Sequence, residues 1–300
     1  MFSSGAGSWA AAQRVAQEHG TDNLTLLFTD VKGSSTDPHV GEDEDNYRFL
    51  HEAAADVGGA LVVLNEGRDI WQVFRDDAYL GNSRLANCSK FLKQQPARRW
   101  LDANCDPRTT VVYVGIDWSE SHRLGGVRFA YAHPLSGCVK GVCKSLWGPD
   151  GERHEGPGCR HLLPHDEQWT VEAPLTVAPY DDKPDILAAL RDRGIDPPRL
   201  YELGFEHANC GGGCVRAGHT QFAHLLKVMP ERYLAWEQRE EDLRQHLDKD
   251  VTILRDRTGG TTVPLTLRAF RERHEAEPEQ TDLFDFGGCG GCFVDSGDAA

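Results

Sequence analysis

Residues 24–64 read LTLLFTDVKGSSTDPHVGEDEDNYRFLHEAAADVGGALVVL. The stretch opens on a continuous apolar run at 24–29 and closes on another at 60–64. Between them, residues 47–57 carry helical periodicity, and Gly58-Gly59 break it. Short apolar runs separated by a helix mark strands buried on both faces of a parallel sheet; a half-exposed strand would alternate instead. Working outward, residues 9–19 are Ala-rich and helical and end at Gly20, a natural C-cap. Downstream lie a short apolar stretch at 70–74, a helix over 91–101 weakened by Pro96, and a third strand at 109–115 (TTVVYVG). The expected fold class is α/β, a parallel sheet flanked by helices.

The rest of the chain changes character twice. Residues 1–132 read as the α/β core. Residues 133–172 hold cysteines, histidines, Gly and Pro with little periodicity, the composition of an irregular Cys/His-rich insertion. Residues 173–274 complete the core and add a helical C-terminal region. Helices are expected over 184–193, 221–228, 230–248 and 267–274, with a short strand at 251–254; Pro184 and Pro230 suit first helical turns. Residues 275–300 form an acidic, then Gly-rich tail ending GGCGGCFVDSGDAA.

Composition narrows the class. Of 300 residues, 39% are hydrophobic and 26% charged, and no apolar run approaches the ~20 residues of a membrane helix. The start, MFSSGAGSWAAAQRV, has neither the basic opening nor the apolar stretch of a signal peptide, so a soluble cytoplasmic protein with no membrane partner is expected. Thirty-two basic against 47 acidic side chains give a formal charge of −15, which argues against indiscriminate nucleic-acid binding but leaves room for a local basic channel. The nine cysteines are an odd number in a long chain. Short-range pairs (Cys138 and Cys143, Cys210 and Cys214, Cys289 and Cys292) point to metal binding or chemistry rather than disulfide staples.

The loop Ser3-Ser4-Gly5-Ala6-Gly7-Ser8 precedes the first helix. Its small residues let backbone N–H groups approach an anion, and Ser8 offers a hydroxyl at the helix N-terminus. It matches neither G-x-x-x-x-G-K-[ST] nor G-x-G-x-x-G, because Ala10 stands at the third glycine position. A flexible N-terminus with Ser8 as an ordinary N-cap is the competing reading.

Further stretches fall in order along the chain: LLFTD at 26–30, GNSRLANCSK at 81–90, GIDWSESHR at 115–123 and HANCGGGCVRAG at 207–218. With the loop, they resemble the PP-loop adenine-nucleotide α-hydrolase superfamily, whose loop reads S-G-G-x-D-S. They are most similar to its phosphoadenosine-phosphosulfate (PAPS) reductase-like family, of the kind found in phage and actinobacterial genomes. The chain departs from the pattern at Ser4 (a glycine), Gly7 (the acidic position) and Asp117 (an arginine in G-x-R-x-x-E-S-x-x-R). The strand expected ahead of the loop is either very short or truncated, and the E-C-G-L-H motif of assimilatory reductases is absent.

The resemblance implies a HUP-like PP-loop fold in which Ser3, Ser4, Gly5, Gly7 and Ser8 cradle a nucleotide's phosphates. Asp30 would sit at a strand's C-terminal end, where parallel sheets bind ligands. Arg84 and Arg123 would hold phosphate or sulfate, with Glu120 orienting Arg123. It also implies adenine-nucleotide-dependent sulfur chemistry: ATP activates an acceptor, pyrophosphate and AMP are released, and sulfur is inserted. The alternatives are a PAPS/APS reductase working through a tail cysteine, and a catalytically degenerate nucleotide-binding partner protein. A sulfur donor, such as a desulfurase or thioredoxin-like protein, is the expected partner. A nucleic-acid acceptor would need a basic groove, for which Arg191, Arg193, Arg216 and Lys227 are candidates.

Cys88, Cys210 and Cys214 fall where iron–sulfur members of the family place ligands, with buried thiols beside a Gly-rich turn as the alternative. Cys138, Cys143, Cys159 and His161 (C-x4-C-x15-C-x-H) have the makings of a zinc site, with His133, His154 and His165 competing and incidental loop residues as the other reading. Cys289 and Cys292 are candidates for delivering a thiol or persulfide, forming a redox pair or ligating the cluster; a disordered tail is the plain alternative.

Overall fold

The computed structural model describes residues 1–80, 82, 86–134, 162–257 and 260–276. Its architecture is mixed α/β, rich in helix, with short parallel strand pairs. Strand β1 (Thr25–Asp30) pairs in parallel with β2 (Ala60–Asn65), Thr25 opposite Ala60 through Asp30 opposite Asn65. Helix α2 (Glu44–Val57) makes the crossover; Asp43 caps its start and Gly58, at φ 83°, ends it. Strand β3 (Val111–Tyr113) pairs in parallel with β4 (Thr170–Glu172).

Met1 and Phe2 join the two pairs. The Phe2 N–H donates to Leu27 O of β1 at 2.8 Å, and the Met1 amino group donates to Tyr113 O of β3 at 2.7 Å. Strand alternation then assigns the faces. Leu26 and Phe28 pack with α1 (Ala6–His19) and α2, whereas Leu27 packs with Ala97 and Leu101 of α5 (Gln95–Asn104), Val112 and Trp169. Burial on both faces is why β1 has no polar alternation. The run at 60–64 forms its strand but is only partly buried, Val63 being 49% exposed, because β2 stands at the edge of the strands described.

Other expectations shift in detail. Residues 70–74 belong to helix α3 (Ile70–Asp76), started by an Asp69–Gln72 capping box. Pro96 does not weaken the following helix but sits in the first turn of α5, after the short helix α4 (Asn87–Ser89) and a π-turn, Lys90–Gln94. A proline has no N–H for the carbonyl one turn back, and a π-turn changes that hydrogen-bond register just ahead of it. The stretch assigned to an insertion through 172 ends in β4, with Trp169 and Val171 buried in the core. Between them, Ala132 O accepts from Leu163 N–H, and residues 135–161 lie outside the described set.

Helix α6 (Leu124–Tyr131) covers β4, and α7 (Lys183–Asp192) packs on α1. After the single turn α8 (Arg199–Glu202), helices α9 (His219–Val228), α10 (Pro230–Leu247) and α11 (Leu267–Ala276) build a second core around Trp71, Phe74, Phe222, Tyr233 and Trp236. The strand expected at 251–254 lies at Leu254–Asp256 (β5), antiparallel to β6 (Val263–Leu265). No helix among the described residues is long and apolar enough to cross a membrane.

Candidate functional site

The N-terminal loop turns tightly on its own hydroxyls. The Ser3 Oγ accepts from Gly5 N–H at 3.3 Å, and Ser8 Oγ lies 2.6 Å from Ser3 O and 2.8 Å from Gly5 O. Helix α1 starts at Ala6 with Gly5 as its N-cap and no side-chain cap. Ser8 is therefore not the cap, and its hydroxyl serves the loop's carbonyls. Gly115, just past β3, lets the chain press against this turn: a Cβ there would lie 3.0 Å from Ser8 Cα.

A cavity of about 160 Å³ opens beside the loop, at the carboxyl ends of β1 and β3. Its wall includes Ser3, Gly5, Gly7 and Ser8 with Glu120 and Arg123, so six of the sequence-derived residues meet in one place. Arg123 and Glu120 form an ion pair on the 3-10 turn Trp118–Arg123. Asp117 caps that turn, its Oδ1 accepting from Ser119 N–H at 2.9 Å and Glu120 N–H at 3.2 Å, which gives the acidic residue at this position a local structural role.

Two expected residues stand outside the wall. Ser4 is buried, its Oγ accepting from Asn46 Nδ2 at 3.1 Å, so its side chain anchors the loop rather than facing a ligand. Asp30 Oδ1 accepts from Lys32 N–H at 3.0 Å and from the Tyr47 hydroxyl at 2.7 Å; its neighbours Phe28 and Thr29 line the cavity instead. Arg84 lies outside the described residues.

The wall also takes in Glu42, Lys93, Gln94, Lys183 and Tyr201, from segments that no local motif announced, and His207, the first residue of the 207–218 stretch. Lys93 and Gln94 sit on the π-turn, a feature frequent at functional sites. Lys93 Nζ lies 3.1 Å from Glu42 Oε1; the other carboxylate oxygen accepts the Cys210 N–H. The Tyr201 hydroxyl accepts from Ala6 N–H at 3.2 Å, and the Lys183 ammonium stands over the Tyr201 ring, 5.5 Å from its centroid. Burial pushes His207 below its usual pKa of 6.5, and the positive charge of Lys183 adds to the shift, so its imidazole is neutral near pH 7. Next to it, the Ala208 carbonyl accepts from Asn46 Nδ2, the group that also holds Ser4.

No family model matches the chain, and neither a similar curated protein nor a similar solved structure was found.

The cysteines assemble less than their spacing suggests. Cys88 on α4 and Cys214 pack against the second core, and Cys210 lies on the 3-10 turn Asn209–Gly212 at φ 53°. Among the described residues, no three His, Cys, Asp or Glu side chains converge as a metal site. The glycines after Cys210 are closely approached by side chains. A Cβ on Gly211 would strike the Arg232 guanidinium, one on Gly212 would lie 2.8 Å from Phe205, and one on Gly213 2.8 Å from Trp236. Arg232, Phe205 and Trp236 thus pack closely against the three glycines that follow Cys210.

Of the zinc candidates, Cys138, Cys143, Cys159, His161 and His154 lie outside the described residues, as do Cys289 and Cys292. His133 is buried with Nδ1 donating to Phe129 O at 2.6 Å, and His165 is on an exposed 3-10 turn. None of Arg191, Arg193, Arg216 or Lys227 lines the cavity, and Arg193 is paired with Asp56 at 2.9 Å.

Proposed function

We propose that the cavity binds an adenine nucleotide through its phosphates, and that the protein is a PP-loop sulfur-transfer enzyme resembling the PAPS reductase-like family. One observation carries the reading: the Ser3–Ser8 turn at the head of α1 faces Arg123, Lys93 and Lys183 across a single cavity. Amides at a helix N-terminus and converging cations are what a phosphate chain requires. The bridging of β1 to β3 by Met1 and Phe2 supports it further. It draws the two parallel strand pairs together, and the cavity lies at the carboxyl ends of β1 and β3, the usual ligand position in open parallel sheets.

In this reading an acceptor oxygen attacks the α-phosphorus of ATP. The bond from that phosphorus to the oxygen bridging to the β-phosphate breaks, and pyrophosphate leaves. A sulfide ion supplied by the donor partner then attacks the activated acceptor carbon, and AMP departs with the acceptor oxygen. The chain's own share is placement and charge: loop amides and cations hold the phosphates, and Arg123, steadied by Glu120, meets charge that develops on phosphoryl oxygens.

The test incubates the full chain, purified without oxygen, with ATP or with PAPS, in the presence of a sulfide or thiol donor. Release of pyrophosphate and AMP from ATP supports sulfur transfer. Sulfite released from PAPS, lost on replacing Cys289 and Cys292 with Ser, replaces this reading by sulfonucleotide reduction. Tight nucleotide binding with neither product makes the protein a nucleotide-binding partner.

A further inference from the structure

Three basic side chains stand in the cavity wall, and they are not equivalent. Lys93 is paired with Glu42 and Arg123 with Glu120, so each brings its own counter-charge. Lys183 has no carboxylate at ion-pair distance among the described residues; its ammonium rests on the face of Tyr201. That is an uncompensated positive charge directed into a half-enclosed space, while the chain as a whole carries −15.

The loop amides opposite are held provisionally. Ala6 N–H reaches the Tyr201 oxygen at 3.2 Å, and Gly5 N–H reaches Ser3 Oγ at 3.3 Å. Both contacts are at the long end for N–H···O bonds. A phosphate oxygen is a charged acceptor whose bonds are shorter and roughly twice as strong, so it displaces a hydroxyl from such an amide. A phenol that has been accepting also keeps its own hydrogen to donate. The hydroxyl at one end of the Tyr201 ring meets the loop, whereas the ammonium lies over the ring face, so the two touch a ligand at successive points.

We infer that Lys183 and Tyr201 form a clamp for a diphosphate, Tyr201 donating to the phosphate seated on the Ala6 amide and Lys183 neutralising the phosphate next to it. The inference rests on the nucleotide reading and sharpens it: the residues that recognise a diphosphate come from the start of α7 and from α8, far along the chain from the loop. The occupant is either the diphosphate of a nucleoside triphosphate or free pyrophosphate.

Calorimetric titration of the full chain with ATP, inorganic pyrophosphate and AMP separates the outcomes. Lys183→Gln is expected to weaken ATP binding about tenfold while leaving AMP within about twofold, Tyr201→Phe to weaken ATP about threefold or more, and Lys183→Arg to restore most of the loss. Lys183 is half-exposed at the first residue of α7, and a thermal melt of each variant verifies folding. A loss confined to ATP identifies the nucleotide's own diphosphate; a parallel loss for pyrophosphate identifies the diphosphate whatever carries it. Variants that bind ATP like the wild type, or lose AMP equally, overturn the clamp and leave the nucleotide site standing. A wild type that binds none of the three overturns both.

Discussion

Arg123 and Glu120 show how little separates a structural ion pair from a binding group. An exposed pair is worth at most ~1 kcal/mol, but this one lines a cavity with the Arg123 side chain only 14% exposed. Replacing Arg123 by Ala removes charge-assisted bonds worth about 1.5–3 kcal/mol, so ATP affinity should fall roughly tenfold to a hundredfold in a titration, with the melting temperature little changed. A drop in stability with unchanged affinity would assign the pair to the fold alone. Gly115 tests the loop from behind. A methyl group at Gly115 presses on Ser8 backbone, which has no flexible end to yield, and Gly115→Ala should cost on the order of 1–2 kcal/mol in urea unfolding. Legibility differs sharply here. Gly5, Gly7 and Ser8 reach the cavity wall as parts of one local motif, whereas the place of the Ser4 side chain depends on Asn46, 42 positions away.

At the scale of elements, α10 carries an ionisable group that ties it to two others. Glu240 accepts from Ile253 N–H at 2.7 Å and Leu267 N–H at 2.6 Å, joining α10 to the residue before β5 and to the start of α11. Burial pushes its pKa up to about 7, against the pull of those two amides and of Arg244, with Glu237 adding to the rise. The folded state therefore holds a proton that the unfolded chain, titrating near 4.5, has already released between those values. Stability from this group is present at low pH and declines as pH rises from about 4.5 to about 7, by an amount of order 3 kcal/mol. Unfolding free energies at pH 5 and pH 8 should show the gap between wild type and Glu240→Gln narrowing at the higher pH; a constant gap would exclude the linkage. The sequence placed α9, α10 and α11 closely, with Pro230 in the first turn of α10. It missed β6 because a three-residue strand leaves almost no periodic signal.

For the whole molecule, the cavity draws on segments spread from residue 1 to residue 209. Residues 3–8 and 115–123 bring loop and arginine, 42 and 93–94 a buried ion pair, and 183, 201 and 207 close the far side. A ligand binding only the folded state stabilises it by RT ln(1 + [L]/Kd), about 2.7 kcal/mol at a hundredfold excess over Kd. Saturating ATP should therefore raise the melting temperature and slow amide exchange at residues 3–8 and at 201–209 together. Protection at one segment without the other would mean that the two do not share the ligand. The βαβ unit was legible at once, because β1 is buried on both faces and its run of apolar residues has no other use. What the sequence determined by itself was local: apolar runs that must leave water, glycines and caps that end helices, and a loop of small residues ahead of α1. Only the tertiary structure decided that Tyr201 meets Ala6, that Glu42 holds both Lys93 and the Cys210 amide, and that the three glycines after Cys210 admit Arg232, Phe205 and Trp236. Local patterns follow from the conformational preferences of neighbouring residues, whereas these contacts join residues far apart in the chain, and they exist only once the cores have packed.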